Sequence, residues 1–344
     1  MANQYSSAWT TEHFEIAQRI LKTCETVAEA CAVLEAHFDR VVTVNAIERA
    51  FRRRGLPPPA TMLMRPSPEP EPQAEEPPSR LPSSVSPFPS PEKVYLVCSD
   101  VHAPGHSVPV MDAFIAIGKD VGVHGVVIAG DYLDLHEVSR HSAGSVAQRE
   151  GHRVVDSYAE GRALLRRIVD GIDCTDNYFI DGNHEDRIRR WLHSGDNAVW
   201  IGADATEIDK GLELAEFGFQ YRAGWPEAHV RLGHMIVTHG RFTNLHHAKK
   251  HLDTWRCATM YGHTHRPQLA YAAGFKSQQV AIGLGHCADP AGEAMAYAPQ
   301  PNDWCNGFGL LAVRPSGVFH AEQINFYDDV TSFGGRLYGR GGQL

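Results

Sequence analysis

Residues 93–102 read Lys-Val-Tyr-Leu-Val-Cys-Ser-Asp-Val-His, a short apolar run that stops on a carboxylate and an imidazole. Such a run is too short for a helix and too apolar for a surface loop, so it reads as a buried strand. The same arrangement recurs further along. Val126–Ala129 runs into Gly130-Asp131-Tyr132-Leu133-Asp134, and Tyr178–Ile180 leads to Gly182-Asn183-His184-Glu185. Met235–Val237 leads to His239-Gly240, and Ala258–Tyr261 to Gly262-His263-Thr264-His265. Helical patterns lie between the early runs, at Val110 to Val121, Ala147 to Ile168 and Arg187 to Leu192. This alternation predicts an α/β domain with crossover connections. From about Lys276 to Phe326 the apolar runs are punctuated by glycine, which predicts a second sheet.

Ligands of open α/β sheets bind beyond the carboxyl ends of the strands, so these five polar clusters are expected to converge. Residues i and i+2 of an extended segment share a side, which would point Asp100 with His102 and His263 with His265. The candidate donors are Asp100, His102, Asp131, Asn183, His239, His263 and His265. Carboxylate, amide oxygen and imidazole without thiolate suit Mn²⁺, Zn²⁺ or Fe. There are more donors than one tetrahedral ion can use, so two divalent ions sharing a carboxylate is the economical arrangement. Mn is the first expectation, with Zn, Fe or Mg as alternatives.

D-x-H, GD-x-x-D, GNHE, HG and GHTH, in this order over about Lys93 to Phe326, resemble the calcineurin-like metallophosphoesterase superfamily. The resemblance implies a four-layer α/β/β/α sandwich of two mixed sheets. It implies that Asp100, His102, Asp131 and His265 hold one metal, and that Asn183, His239 and His263 hold the other with Asp131 bridging. His184 would then face the substrate as general acid or electrostatic stabiliser, oriented by Asp134. The implied reaction is hydrolysis of a phosphoester by metal-activated hydroxide. Asp134 is followed by Leu135-His136, and Asp181 precedes Gly182, so the arginines of the protein-phosphatase branch are missing. GNHE also departs from the GNHD of the repair nucleases. A small N-terminal helical unit with GNHE-x-R is similar to phage and prophage members.

Arg187 and Arg266 follow the third and fifth clusters and Arg140 follows the second, so all three are candidates to grip a phosphate. A positively charged rim is the functional reading of these residues, of Arg189 and Arg190, and of a basic patch from His246 to His251. Cys98 and Trp304 read as core and sheet packing, and the glycine-rich tail from Gly334 as a flexible or loosely docked end.

Ahead of this domain, residues 1–56 carry three short helical patterns of helix-turn-helix size, with candidate caps at Thr11, Thr26 and Thr43. The last pattern bears Arg49, Arg52, Arg53 and Arg54. It is either a recognition helix for DNA or RNA, using Arg49, Arg52 and Arg53, or a solvated basic face. Residues 57–92 are rich in Pro, Ser and Glu and read as a linker before the catalytic domain at 93–344. The net charge of −9 excludes a uniformly basic nucleic-acid coat. Seven scattered cysteines argue against a disulfide scaffold, and the absence of a signal segment or long apolar run predicts a soluble cytoplasmic protein without membrane contact. Three functions follow: a phosphodiesterase or nuclease delivered to nucleic acid by its N-terminal unit; a phosphomonoesterase or small-nucleotide hydrolase whose N-terminal unit binds a protein; and a non-enzymatic nucleic-acid-binding regulator.

Overall fold

The computed structural model describes residues 9–38, 42–63, 92–139, 153–273, 278–296 and 302–340. The chain divides into two compact units, residues 1–80 and 81–344.

In the first unit, α1 (Thr11–Leu21), α2 (Val27–Phe38) and α3 (Val44–Arg53) follow the expected periodicity. Their apolar faces meet in a core of Phe14, Ala17, Leu21, Cys24, Ala30, Leu34, Ile47 and Phe51. Thr26 and Thr43 accept the backbone N–H groups of Glu29 and Ala46. The first cap is Thr10, not Thr11. Its hydroxyl accepts from His13 N–H, while His13 Nδ1 accepts the Thr10 N–H. An imidazole thus fills the place that Glu takes in the usual capping box. The unit does not stop at Leu56. A 3₁₀ turn at Pro59–Met62 follows, and Leu56, Met62 and Leu63 pack on the helical core. The remainder of the stretch read as linker, 64–91, lies outside the described residues.

The second unit holds two mixed sheets. One is six-stranded, in the order β11-β10-β1-β2-β3-β4. Its strands are β1 (Lys93–Cys98), β2 (Gly125–Ala129), β3 (Asn177–Ile180), β4 (Phe219–Arg222), β10 (Gly307–Val313) and β11 (Phe319–Asn325). The other is five-stranded, in the order β5-β6-β7-β9-β8. Its strands are β5 (His229–Leu232), β6 (Met235–Thr238), β7 (Ala258–Tyr261), β8 (Gln268–Ala273) and β9 (Gln278–Gly283). Pairs β1–β2, β2–β3, β6–β7 and β7–β9 are parallel, and β1–β10 and β5–β6 are antiparallel.

The alternation of side chains along a strand sorts the core into layers. Leu96, Cys98, Val126 and Ile128 pack with Phe114, Ile117, Leu164 and Ile168 of α4 (Val108–Val121) and α5 (Val154–Ile172). Tyr95, Val97, Val127 and Ala129 turn the other way and meet Val230, Met235, Val237 and Met260 of the second sheet. On that sheet's far side, Ala248 and Leu252 of α7 (His247–Trp255) cover Tyr261 and Ala281. The result is the expected helix–sheet–sheet–helix sandwich. Burial on both faces explains why the strands read as continuous apolar runs rather than as alternating ones. Among the described residues, no helix is long and apolar enough to cross a membrane.

Two surface readings need correction. The tail is not a loose end: β12 (Val330–Phe333) and β13 (Arg336–Gly339) form a hairpin around Gly334 and Gly335, both at positive φ. Tyr338 and Arg336 tie it to Asp120 of α4. The basic patch at 246–251 is not one either. His247 and His251 are buried beneath α7, where His247 Nδ1 lies 2.6 Å from the Tyr261 hydroxyl and the His251 ring stacks on Tyr261 at 3.8 Å. Lys249 is paired with Asp253.

Burial pushes both histidines down to about 4. In the unfolded chain they would take a proton near pH 6.5, well before they do so in the fold. Their neutral forms therefore contribute stability that is present above pH 6.5 and is lost as pH falls toward 4. The melting temperature of the second unit should drop over that window, and His247→Gln should flatten part of the slope. A melting temperature independent of pH between 6.5 and 4 would overturn this.

Candidate metal centre

The loops after β1, β2 and β3 of one sheet and after β6 and β7 of the other meet at one edge of the sandwich. Backbone bonds tie them: Asp100 N–H donates to the Gly130 carbonyl, His102 N–H to Asp131 and Gly262 N–H to His239. Asp100 accepts the His263 N–H at 2.9 Å, joining the two sheets. The paired residues are not in extended segments, as the spacing suggested. Asp100, His102, Asp131, His263 and His265 all adopt left-handed φ, from 50° to 71°. Five non-glycine residues held in that sparsely occupied region mark a site that the surrounding fold over-determines. Gly182 and Gly262 are required for a different reason: a Cβ at either would collide with Asp131 or with Ser99 and Asp100.

Three overlapping donor groups result: Asp100, His102 and His265; His102, Asp131 and His184; and Asp131, His239 and His263. Within each, the donor atoms lie within 4.8 Å of one another. His265 Nε2 is 3.2 Å from Asp100, and Asp131 Oδ2 is 3.3 Å from His239 Nε2 and 3.6 Å from His184 Nε2. The seven residues read as metal donors are thus gathered here, with Asn183 Oδ1 2.9 Å from His239 Nε2.

His239 tests whether this set fits a cation. Its Nδ1 lies 2.9 Å from the Ala129 carbonyl oxygen, which can only accept, so the proton sits there. A neutral His239 then turns the Nε2 lone pair on the oxygens of Asn183 and Asp131. Three electron-rich atoms facing one another are stable only around a proton or a cation. Burial alone would lower the His239 pKa, but the Asp131 carboxylate beside it holds it up at about 9. His102 Nε2 and His265 Nδ1 are also buried without a hydrogen-bond partner. The donor set fits divalent metal.

Asp134 collects the imidazoles around it. Burial would raise its pKa, yet hydrogen bonds with His102, His136 and His184 hold the carboxyl well below the usual range. His184 Nδ1 lies 2.8 Å from the Asp134 carbonyl oxygen and 3.2 Å from its carboxylate. The Nδ1 proton is therefore engaged, and Nε2 accepts from Arg187 at 2.7 Å. Arg187 also donates to the Asp134 carbonyl at 2.6 Å. Its guanidinium thus sits directly on the candidate catalytic imidazole.

The other arginines divide. Arg266 donates to the Thr243 carbonyl at 2.6 Å and pairs with Asp303 at 3.3 Å, which leaves it at the rim. Arg189 and Arg190 both pair with Asp186 of α6 (Glu185–Leu192), whose one carboxylate offsets one of their two charges. Arg140 lies outside the described residues. Cys98 is buried core, its thiol pushed up to about 12 by burial.

Sequence reading passed over two supports. Glu185 is buried at the start of α6, and its carboxylate accepts the N–H groups of Asp131, Tyr132, Leu133 and Gly182. Its place inside GNHE was visible, but nothing in the spacing shows that it grips the second cluster. The other support is aromatic. Trp304 stands edge-on to His265 at 4.3 Å instead of packing in a sheet, and Trp225 lies 6.1 Å from His263.

A family model described as calcineurin-like phosphoesterase matches residues 94–313. Wild-type Vps29 complexed with Zn²⁺ from Entamoeba histolytica is similar at 12% identity, with 70% of this chain and 96% of that one covered and a TM-score of 0.36. Nuclease MPE of Pseudomonas putida is 12% identical, with 72% and 87% covered and a TM-score of 0.26. A dimetal phosphatase from Danio rerio is 11% identical, with 68% and 99% covered and a TM-score of 0.29. No curated protein sequence matches the chain. Likenesses this distant bring no substrate or partner with them.

Proposed function

This chain belongs to the calcineurin-like phosphoesterase family and is a metal-dependent phosphoester hydrolase, and we propose that its substrate is a phosphodiester of nucleic acid. In this reading Asp100, His102, Asp131 and His265 hold one divalent ion, and Asp131, Asn183, His239 and His263 hold the second. Mn²⁺ is the first ion to load, since oxygen and imidazole donors without thiolate suit it. Bound ions supply Lewis-acid charge at the phosphoryl oxygens and acidify water.

The remaining work falls to the chain's own side chains. Asp134 fixes the His184 ring through Nδ1 and leaves Nε2 facing the reacting centre. Arg187 occupies Nε2 in the resting arrangement. A guanidinium favours a phosphate oxygen over a neutral imidazole, because bonds between ionised partners are about twice as strong. An arriving phosphate thus draws Arg187 away and frees Nε2 to take up a proton from water, which His184 can then deliver to the leaving oxygen.

One observation carries the choice of nucleic acid. Arg49, Arg52 and Arg53 stand exposed on α3, whose sole acid is Glu48. Among the described residues none of the three arginines forms an ion pair. An exposed row of guanidinium groups outside any ion pair, on the third helix of such a unit, suits a phosphate backbone. Tethering it to the hydrolase raises the local concentration of polyanion.

The test is cleavage of labelled single- and double-stranded oligonucleotides by Mn²⁺-loaded protein, with Asp131→Asn as control. Cleavage abolished by the substitution supports the nuclease. Failure to cut either, by protein shown to contain metal, would move the reading to small phosphoesters and make a protein the better partner for the N-terminal unit. Replacing Arg49, Arg52 and Arg53 together with Ala should weaken binding to all sequences alike. It should also flatten the slope of log affinity against log salt by about 1 per lost contact. An unchanged slope would remove α3 from the interface.

A further inference from the structure

Two tryptophans flank the metal donors, and they flank different groups. Trp225 lies beside His263, which belongs with Asp131 and His239. Trp304 lies beside His265, which belongs with Asp100 and His102, and its ring is also 6.2 Å from His286. Both side chains are half-buried. The Trp225 Nε1–H donates to the Gly240 carbonyl at 2.8 Å, so that ring is pinned by its polar edge. Gly240 follows the donor His239, and the indole is therefore referenced to the site itself. Trp304 precedes β10 and contributes no strand position.

We infer that Trp225 and Trp304 are two stacking subsites, one beside each donor group, for flat rings carried on either side of the scissile phosphate. This rests on the phosphodiesterase reading of the same site. Geometry links the two. In this reading a phosphate that reaches both ions lies beside His263, and so near Trp225, and beside His265, and so near Trp304. A monoester would engage one indole at most. A diester between two nucleosides engages both, and each base stacked on an indole adds affinity. Stacking does not depend on the base, so the preference is for base-bearing diesters rather than for a sequence.

The experiment uses the full chain loaded with Mn²⁺ and two probes of equal charge, a thymidine dinucleotide and its abasic counterpart. Wild type should prefer the dinucleotide through KM. Trp225→Leu and Trp304→Leu should each raise KM for the dinucleotide by about tenfold or more. Each should also collapse the preference over the abasic probe, while Trp→Phe at the same position recovers most of it. If either Leu variant instead lowers kcat equally on both probes with KM unchanged, the indoles only buttress the histidines and the inference falls. Should the loaded protein cut no diester, the phosphodiesterase reading itself falls, and binding alone decides the indoles. Quenching of tryptophan fluorescence by the dinucleotide that is reduced in both Trp225→Leu and Trp304→Leu would keep them as subsites, and absence of quenching would discard them.

Discussion

Asp131→Asn should lower kcat on any phosphoester by at least about 10³-fold while leaving the fold intact. Asp131 and His102 each belong to two of the three donor groups, and Asp131 is the carboxylate of that pair. Oδ1 accepts the His184 backbone N–H at 2.8 Å, and an amide oxygen would do the same. Oδ2 lies 3.3 Å from His239 Nε2, and an amide NH₂ there would donate to that lone pair. The protein without metal therefore gains a hydrogen bond and loses a buried negative charge beside Asp100 and Glu185. What disappears is the anion between two cation sites. Metal content should fall from two ions per chain toward one or none, and the melting temperature without metal should hold or rise. Full metal occupancy together with near-normal kcat in the variant would mean that Asp131 is not the bridging ligand.

The parts of this molecule that were readable from sequence are those where one residue type answers one local need. Doubly buried strands have to be apolar throughout, so β1, β2 and β7 announce themselves within a residue of their ends. Donors of a metal site have to be Asp, Asn or His, so the clusters after those strands are legible too. Partnership between clusters was not legible. Arg187 could be seen as a phosphate ligand but not as the group resting on His184, because that contact depends on the first turn of α6. Arg189 and Arg190 look alike in sequence and both pair with Asp186. His247 and His251 look basic, yet they are neutral because α7 turns them inward onto Tyr261. Trp304 was assigned to a sheet since a tryptophan beside an apolar run usually packs there. Its actual neighbour, His265, lies 39 positions earlier and is brought beside it by the fold.

Glu185 gives the second large effect, and the conservative change should be severe. Its Oε1 accepts Tyr132 N–H at 2.9 Å and Leu133 N–H at 3.0 Å, and its Oε2 accepts Asp131 N–H at 2.9 Å and Gly182 N–H at 2.8 Å. Burial and the neighbouring Asp131 and Asp181 carboxylates push its pKa up to about 7, while the backbone N–H groups pull the other way. Every hydrogen bond made by this side chain requires an acceptor. Glu185→Gln keeps the shape but sets an NH₂ against two of the four donors, leaving two buried N–H groups opposed at a cost of about 1–3 kcal/mol each. For a unit of this size each kcal/mol moves the melting temperature by roughly 2–4 °C, so a fall of about 5–20 °C is expected. The same four bonds hold the Asp131 loop against the turn that carries Asn183 and His184. Loosening them should misplace both donor groups by a fraction of an ångström to an ångström and lower kcat by about 10²-fold. The two readouts separate the roles. A variant that melts early yet recovers full kcat at low temperature would make Glu185 a structural brace alone. A variant that stays slow at every temperature below its melting point makes it the residue that sets the register of the metal site.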